Sequence, residues 1–320
     1  MSDHATMNSP AAPLPQPKPQ NGIGGYIFLN QGGLRSGWRL LVYAAFVCAI
    51  FLVGSQIEWM FVRPERNVFS YSNQFAFELV AVASVLGAAL LMSKIERRTV
   101  GEYGLPFAGI FGRELWWGCV FGFCEMSSLI ALISAFGGYS LGPRALNGME
   151  IAQWGFLWLV LFVLVGFFEE FFFRGYTLFT LKQGIGFWPA AIVLSACFGA
   201  VHIKNDGENW VGILGVFVVG LFWCFTVRRT GTLWFAVGMH VAFDFSESFL
   251  YSVPDSGAVL PGHLTNATMH GPAWLTGGVV GPEASVFDFI ILVAYFFLFH
   301  FMFPARNDRV APANLPPANS

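Results

Sequence analysis

Glu169 and Glu170 stand side by side in an apolar run, Phe167-Phe168-Glu169-Glu170-Phe171-Phe172-Phe173-Arg174, and no charge occurs from Trp158 to Phe168. A charged side chain at bilayer depth costs about 2.5–3.5 kcal/mol on insertion scales. Two adjacent carboxylates persist there only if they face protein or water. The pair therefore predicts a polar cavity within the membrane. Residues four apart share a helix face, so Glu170 and Arg174 are placed to form an ion pair. Glu169 points about 100° away and is left freer for chemistry. The competing reading is a buried salt-bridge cluster of all three.

Two further stretches carry titratable groups on apolar helices. One ends Phe198-Gly199-Ala200-Val201-His202; the other reads His240-Val241-Ala242-Phe243-Asp244. His240 and Asp244 are again four apart and share a face. A lone intramembrane histidine is usually a hydrogen-bonded core residue. Two histidines, two glutamates and an aspartate on helices of one small bundle point to function instead.

Peptide hydrolysis needs an activated water, a base and a stabiliser for the oxyanion. A glutamate with a histidine can activate the water, and a second histidine can donate to the oxyanion. The same groups could hold a divalent metal such as zinc, because two histidines and a carboxylate with one open position form a catalytic zinc set. Glu169, His202, His240 and Asp244 are the candidate ligands. A metal-independent mechanism stays equally open. The chain has no His-Glu-x-x-His run, so the usual local zinc signature does not decide the matter.

These residues must be positioned by membrane helices. The chain has 320 residues, 55% hydrophobic and 11% charged, with 36 Phe, against about 25% charged in soluble domains. That composition predicts an all-α fold, a polytopic membrane helical bundle with about eight transmembrane helices. The apolar runs cover about 40–61, 74–93, 114–136, 153–181, 187–206, 210–227, 232–252 and 285–303. Pro189 falls within one run, in its first turn, where proline is tolerated. Gly118-x-x-x-Gly122 matches a helix-packing pattern and implies close contact there. The five cysteines lie in apolar runs and read as small core residues. Among the other acids of these runs, Glu58, Glu78, Glu125, Glu247 and Asp288 read as polar contacts between helices or as interface positions.

The domain reading is a disordered tail over 1–34, a transmembrane unit over 35–306 with its motif core at 153–250, and a second disordered tail over 307–320. With the amino terminus inside, the inner segments carry Lys18, Arg35, Arg39, Lys94, Arg97, Arg98, Arg113, Arg174, Lys182, Arg228, Arg229, Arg306 and Arg309. The outer segments carry Arg63, Arg66, Arg144 and Lys204. This bias places both termini in the cytoplasm. A bacterial inner membrane is the expected location.

Glu169-Glu170-x-x-x-Arg174, then Phe198-x-x-x-His202, then His240-x-x-x-Asp244 resembles the ordered motif set of the CPBP intramembrane proteases, also called the Abi or type II CAAX prenyl endopeptidase family. The motif region covers about a third of the chain. The resemblance implies a helical intramembrane protease in which Glu169 and His202 activate water. It implies that His240 and Asp244 stabilise the oxyanion, and that Glu170 and Arg174 occupy the remaining motif positions, mainly as structural support. The family is described both as metalloproteases and as metal-independent glutamate proteases. The prenyl-protein enzymes typically have Asn where this chain has Asp244. An ionised aspartate only accepts hydrogen bonds, so its direct role differs from that of an asparagine.

The expected activity is cleavage of a lipidated or membrane-embedded peptide, from a cavity open to the cytoplasm. The expected partners are that substrate and the lipid bilayer, with no nucleic acid. Two other classes compete: a membrane transporter or proton relay, and a non-enzymatic scaffold or immunity protein. Unbroken helices and the lack of an internal repeat argue against the transporter.

Overall fold

The computed structural model describes residues 29–30, 33–62, 70–205 and 207–304. The two tails expected to be disordered lie almost wholly outside them. The described chain is an all-α bundle. Helix α1 spans Ser36–Phe61, α2 Tyr71–Glu96, α3 Arg113–Ala135, α4 Met149–Arg174 and α5 Tyr176–Ile185. Helix α6 spans Phe187–His202, α7 Trp210–Thr230, α8 Trp234–Phe245 and α9 Val286–Met302. By length and composition five segments can cross a membrane: α1, α2, α3, α4 with α5, and α7. Helices α6 and α9 are shorter apolar helices.

The fourth apolar run does not form one helix. It divides at Gly175 into α4 and α5, because the backbone there turns back on the preceding turn. A Cβ at Gly175 would lie 2.3 Å from the Phe171 carbonyl oxygen. The seventh run also changes character: α8 passes into a π turn at Ser246–Leu250. Such turns shift the helical face by one residue and often occur beside functional residues.

Helix ends follow their capping residues. Asn209 accepts hydrogen bonds from the N–H groups of Val211 and Gly212 and starts α7. Ser285 accepts from Phe287 N–H and starts α9. Gly231 adopts φ 78 and ends α7, a conformation glycine enters without steric cost.

The bundle is glued by small residues and lined with lipid-facing apolar ones. The most extensive pairing joins α3 and α8. A Cβ at Gly118 or Gly122 would lie 2.1 Å from the carbonyl oxygens of Phe235 or Met239 respectively. Gly238 meets Leu115 of α3 in the same manner. The close contact expected from Gly118-x-x-x-Gly122 is therefore with the helix that carries His240 and Asp244. Helix α1 buries little beyond Ser36 and Tyr43; Leu52 and Phe61 are 64% and 80% exposed, as suits side chains solvated by lipid.

On the side of the bundle where α1 begins and α9 ends, Glu96 ties several elements together. Arg39 Nε donates to its Oε1 at 2.8 Å, and the hydroxyls of Tyr103 and Tyr176 also donate to its carboxylate. On the opposite side a two-residue ribbon pairs Tyr139–Ser140 with Thr268–Met269. This ribbon belongs to the cover formed by the segment between α8 and α9.

Candidate active site

Helix α4 delivers Glu169, Glu170 and Arg174; α6 ends at His202; α8 delivers His240 and Asp244. Helices α4 and α8 approach closely at Gly166, where a Cβ would lie 3.1 Å from Val241 Cγ2 and 3.5 Å from His240 Cβ. That approach brings the two motif helices into register.

Glu170 and Arg174 form the expected ion pair, with Arg174 Nη1 donating to Glu170 Oε1 at 3.0 Å. Both side chains are fully buried. The guanidinium also lies over the rings of Phe198 and Trp223, 4.2 and 5.2 Å from their centroids, and such cation–π contacts strengthen on desolvation. It fits because residue 220 is glycine: a Cβ there would lie 2.7 Å from Arg174 Nη2.

The same Glu170 oxygen faces a second partner. His240 Nδ1 donates to Glu170 Oε1 at 3.1 Å. Its other nitrogen, Nε2, lies 3.3 Å from Asp244 Oδ2 and 3.8 Å from Glu169 Oε2. The imidazole stacks on Trp223 with centroids 4.6 Å apart and planes at 18°. The ring is thus held on one face and at both nitrogens. Glu169 is the most accessible member, with its side chain 25% exposed against 0% for Glu170.

His202 is held differently. Its Nδ1 lies 2.8 Å from the Phe198 carbonyl oxygen. A carbonyl only accepts, so Nδ1 carries the proton and Nε2 presents its lone pair. The Phe198 ring packs against the imidazole edge-on, 4.8 Å between centroids.

Glu169, His202, His240 and Asp244 all line one cavity of about 340 Å³. That size lies within the range of small-ligand and peptide side-chain sites. Its mixed lining has an apolar part that includes Phe162, Val165, Val219 and Phe243. Arg174 lies behind the wall, and among the described residues no Lys or Arg lines it.

Residues 151–246 match the family model of the type II CAAX prenyl endopeptidase Rce1-like proteins. The resemblance to the CPBP family is borne out over this segment. All six motif residues fall inside the Rce1-like segment. Comparison with curated proteins and with solved structures finds no match. At family level the Rce1-like match supports a CAAX-type intramembrane endopeptidase. Together with the five spanning segments, it supports an integral membrane protein.

The geometry around the Rce1-like segment adds to the sequence expectations in three ways. First, Glu78, Glu125 and Asp288 are more than contacts between helices: all three line the cavity. Glu78 has a partner one turn back, accepting from Gln74 Nε2 at 2.9 Å. Second, sequence reasoning passed over Asp255, Ser256 and Glu283, which also line the cavity. They lie in a covering segment without helical periodicity, so no spacing marked them. Third, the cavity runs from Glu169 and His240 toward Gln74, Asn205 and Asp255. These residues lie at the helix ends opposite those where α1 begins and α9 ends.

The donor set also bears on metal binding. Among the described residues, Glu169, His202, His240 and Asp244 do not bring three donor atoms within 4.8 Å of one another. His240 Nδ1 donates to Glu170 and leaves Nε2 as the ring's other donor atom. Zinc bonds of about 2.0–2.2 Å require tighter convergence than these donors show.

Proposed function

We propose that the protein is an intramembrane endopeptidase that hydrolyses a peptide bond in a lipidated or membrane-embedded substrate. The observation that supports it most directly is the bracketed imidazole of His240, with carboxylates at both nitrogens beside the accessible Glu169. In this reading Glu169 is the general base. It takes a proton from water, and the lone pair on His202 Nε2 orients the same water. Attack on the scissile carbonyl builds negative charge on its oxygen.

His240 then acts as the donor. With both nitrogens protonated, it donates to Glu170 through Nδ1 and to the developing oxyanion through Nε2. Asp244 accepts from Nε2 until the substrate oxygen competes for it. Fixed donors aimed at the oxyanion position are worth about 10²–10³ in rate. Glu170 and Arg174 are positioning residues: they fix the ring without touching the substrate. Glu169, returning its proton to the leaving amine, completes the cycle with a net addition of water across the bond.

The test is cleavage of a lipidated reporter peptide by the full-length chain in proteoliposomes. Glu169→Gln should fold and insert normally and lose at least about 10²-fold in turnover. Retained turnover in that variant would overturn the reading.

A further inference from the structure

A second cluster of acids, apart from the six motif residues of the Rce1-like segment, adjoins the cavity through Asp255 and Glu283. Glu247 comes from the π turn after α8, Asp255 from the covering segment, and Glu283 from the turn that precedes α9. Each offers one carboxylate oxygen, and the three atoms all lie within 4.8 Å of one another. Three acids gathered this closely repel unless a proton or a cation sits among them.

Glu247 is the deciding member. The residue is completely buried, and neither of its side-chain oxygens has a hydrogen-bond partner. It is aimed at Asp255 and Glu283. Leaving a buried carboxylate without compensation is expensive. The other two are already oriented by hydroxyl and amide donors on their far sides. Ser248 Oγ donates to Asp255 Oδ2 at 3.0 Å. Ser256 donates to Glu283 Oε1 through its N–H at 2.9 Å and its Oγ at 3.1 Å. This is how outer-shell partners orient ligating carboxylates. The segment 251–285 has no Lys or Arg, and among the described residues no ion pair involves these three.

We infer that Glu247, Asp255 and Glu283 form a binding site for a hard divalent cation, calcium in preference to zinc. The ligands are all oxygen, which suits calcium or magnesium and is poor for zinc. Oxygens within 4.8 Å of one another can surround a shared ion at about 2.4 Å, the calcium distance. Bound there, the ion pins the covering segment and the start of α9 to the end of α8. It closes the wall of the cavity without touching the reacting atoms. Asp255 and Glu283 line the same cavity as Glu169, so the ion also fixes the shape of the substrate's surroundings. This inference does not depend on the protease reading.

The experiment is calorimetric titration of the purified full-length chain in detergent with calcium chloride, with magnesium and zinc chlorides as comparators. Thermal unfolding is followed in parallel. The expected result is saturable calcium binding and a calcium-dependent rise in Tm. Glu247→Gln and Asp255→Asn should each weaken binding about tenfold or more. Glu169→Gln should leave it intact, which separates this site from the motif residues. Failure of wild type to bind calcium or magnesium overturns the inference and assigns the cluster to a proton shared between carboxyls. Unchanged binding in both Glu247→Gln and Asp255→Asn overturns it too, by placing the ion elsewhere. If Glu247→Gln fails to fold, Asp255→Asn alone decides.

Discussion

His240 and Arg174 share one oxygen: Oε1 of Glu170 accepts from His240 Nδ1 at 3.1 Å and from Arg174 Nη1 at 3.0 Å. The helix-spaced ion pair on α4 is thus also the anchor for the imidazole on α8. Support and chemistry are joined through a single carboxylate.

That sharing sets the first prediction. Glu170→Gln removes the charge that compensates a fully buried guanidinium, and breaking one side of a buried pair costs about 3–5 kcal/mol. We expect a large drop in Tm. Arg174→Lys should fall in the same direction, because an ammonium cannot span both Glu170 and the faces of Phe198 and Trp223. If either variant unfolds like wild type but has lost turnover, Glu170 and Arg174 act in the chemistry and not through position.

Asp244 yields a second, more graded prediction. It lies 3.3 Å from His240 Nε2. An asparagine there keeps an acceptor and adds a donor. Asp244→Asn should therefore lose little, about tenfold or less in kcat/KM, whereas Asp244→Ala should lose about 10²-fold. Equal losses in the two variants would show that the carboxylate charge, and not a hydrogen bond to His240, is what matters.

The α3–α8 contact allows a packing test. A Cβ at Gly122 would meet the Met239 carbonyl oxygen at 2.1 Å, next to the residue that carries the imidazole. Overpacking of this kind costs about 1–3 kcal/mol or more. Gly122→Ala should lower Tm and, by pushing α8 away from α4, lower turnover as well. Gly37→Ala is the control, because nothing lies within 4 Å of a Cβ there. Matching behaviour of the two variants would mean that α3 does not position α8.

Chelators separate the two metal questions. The dispersed donors of Glu169, His202, His240 and Asp244 predict that 1,10-phenanthroline leaves cleavage unchanged. A calcium chelator should lower Tm through the Glu247 cluster. Inhibition by phenanthroline that added zinc reverses would show that the motif residues converge on a metal during turnover.

Much of the site was legible because membranes punish charge. Glu169, Glu170, Arg174, His202, His240 and Asp244 stand out against apolar helices, and spacing of four placed Glu170 with Arg174 and His240 with Asp244 on shared faces. Spacing within one helix says nothing about the partner across the gap. The Glu170–His240 contact was accordingly invisible, as were the cavity positions of Glu78, Glu125 and Asp288. The break at Gly175 was also hidden: the apolar run continues through it, and only the close approach to the Phe171 carbonyl reveals the turn.

By itself, then, the order of residues determined the solvent this chain folds in, its all-α class and the six motif positions, since these follow from local hydropathy and helical period. Tertiary structure alone decided which carboxylate holds which imidazole nitrogen. It also decided that Asp255 and Glu283 from the covering segment meet Glu247 at the end of α8. Those relations depend on contacts between segments far apart in the chain, which hydropathy and helical period do not encode.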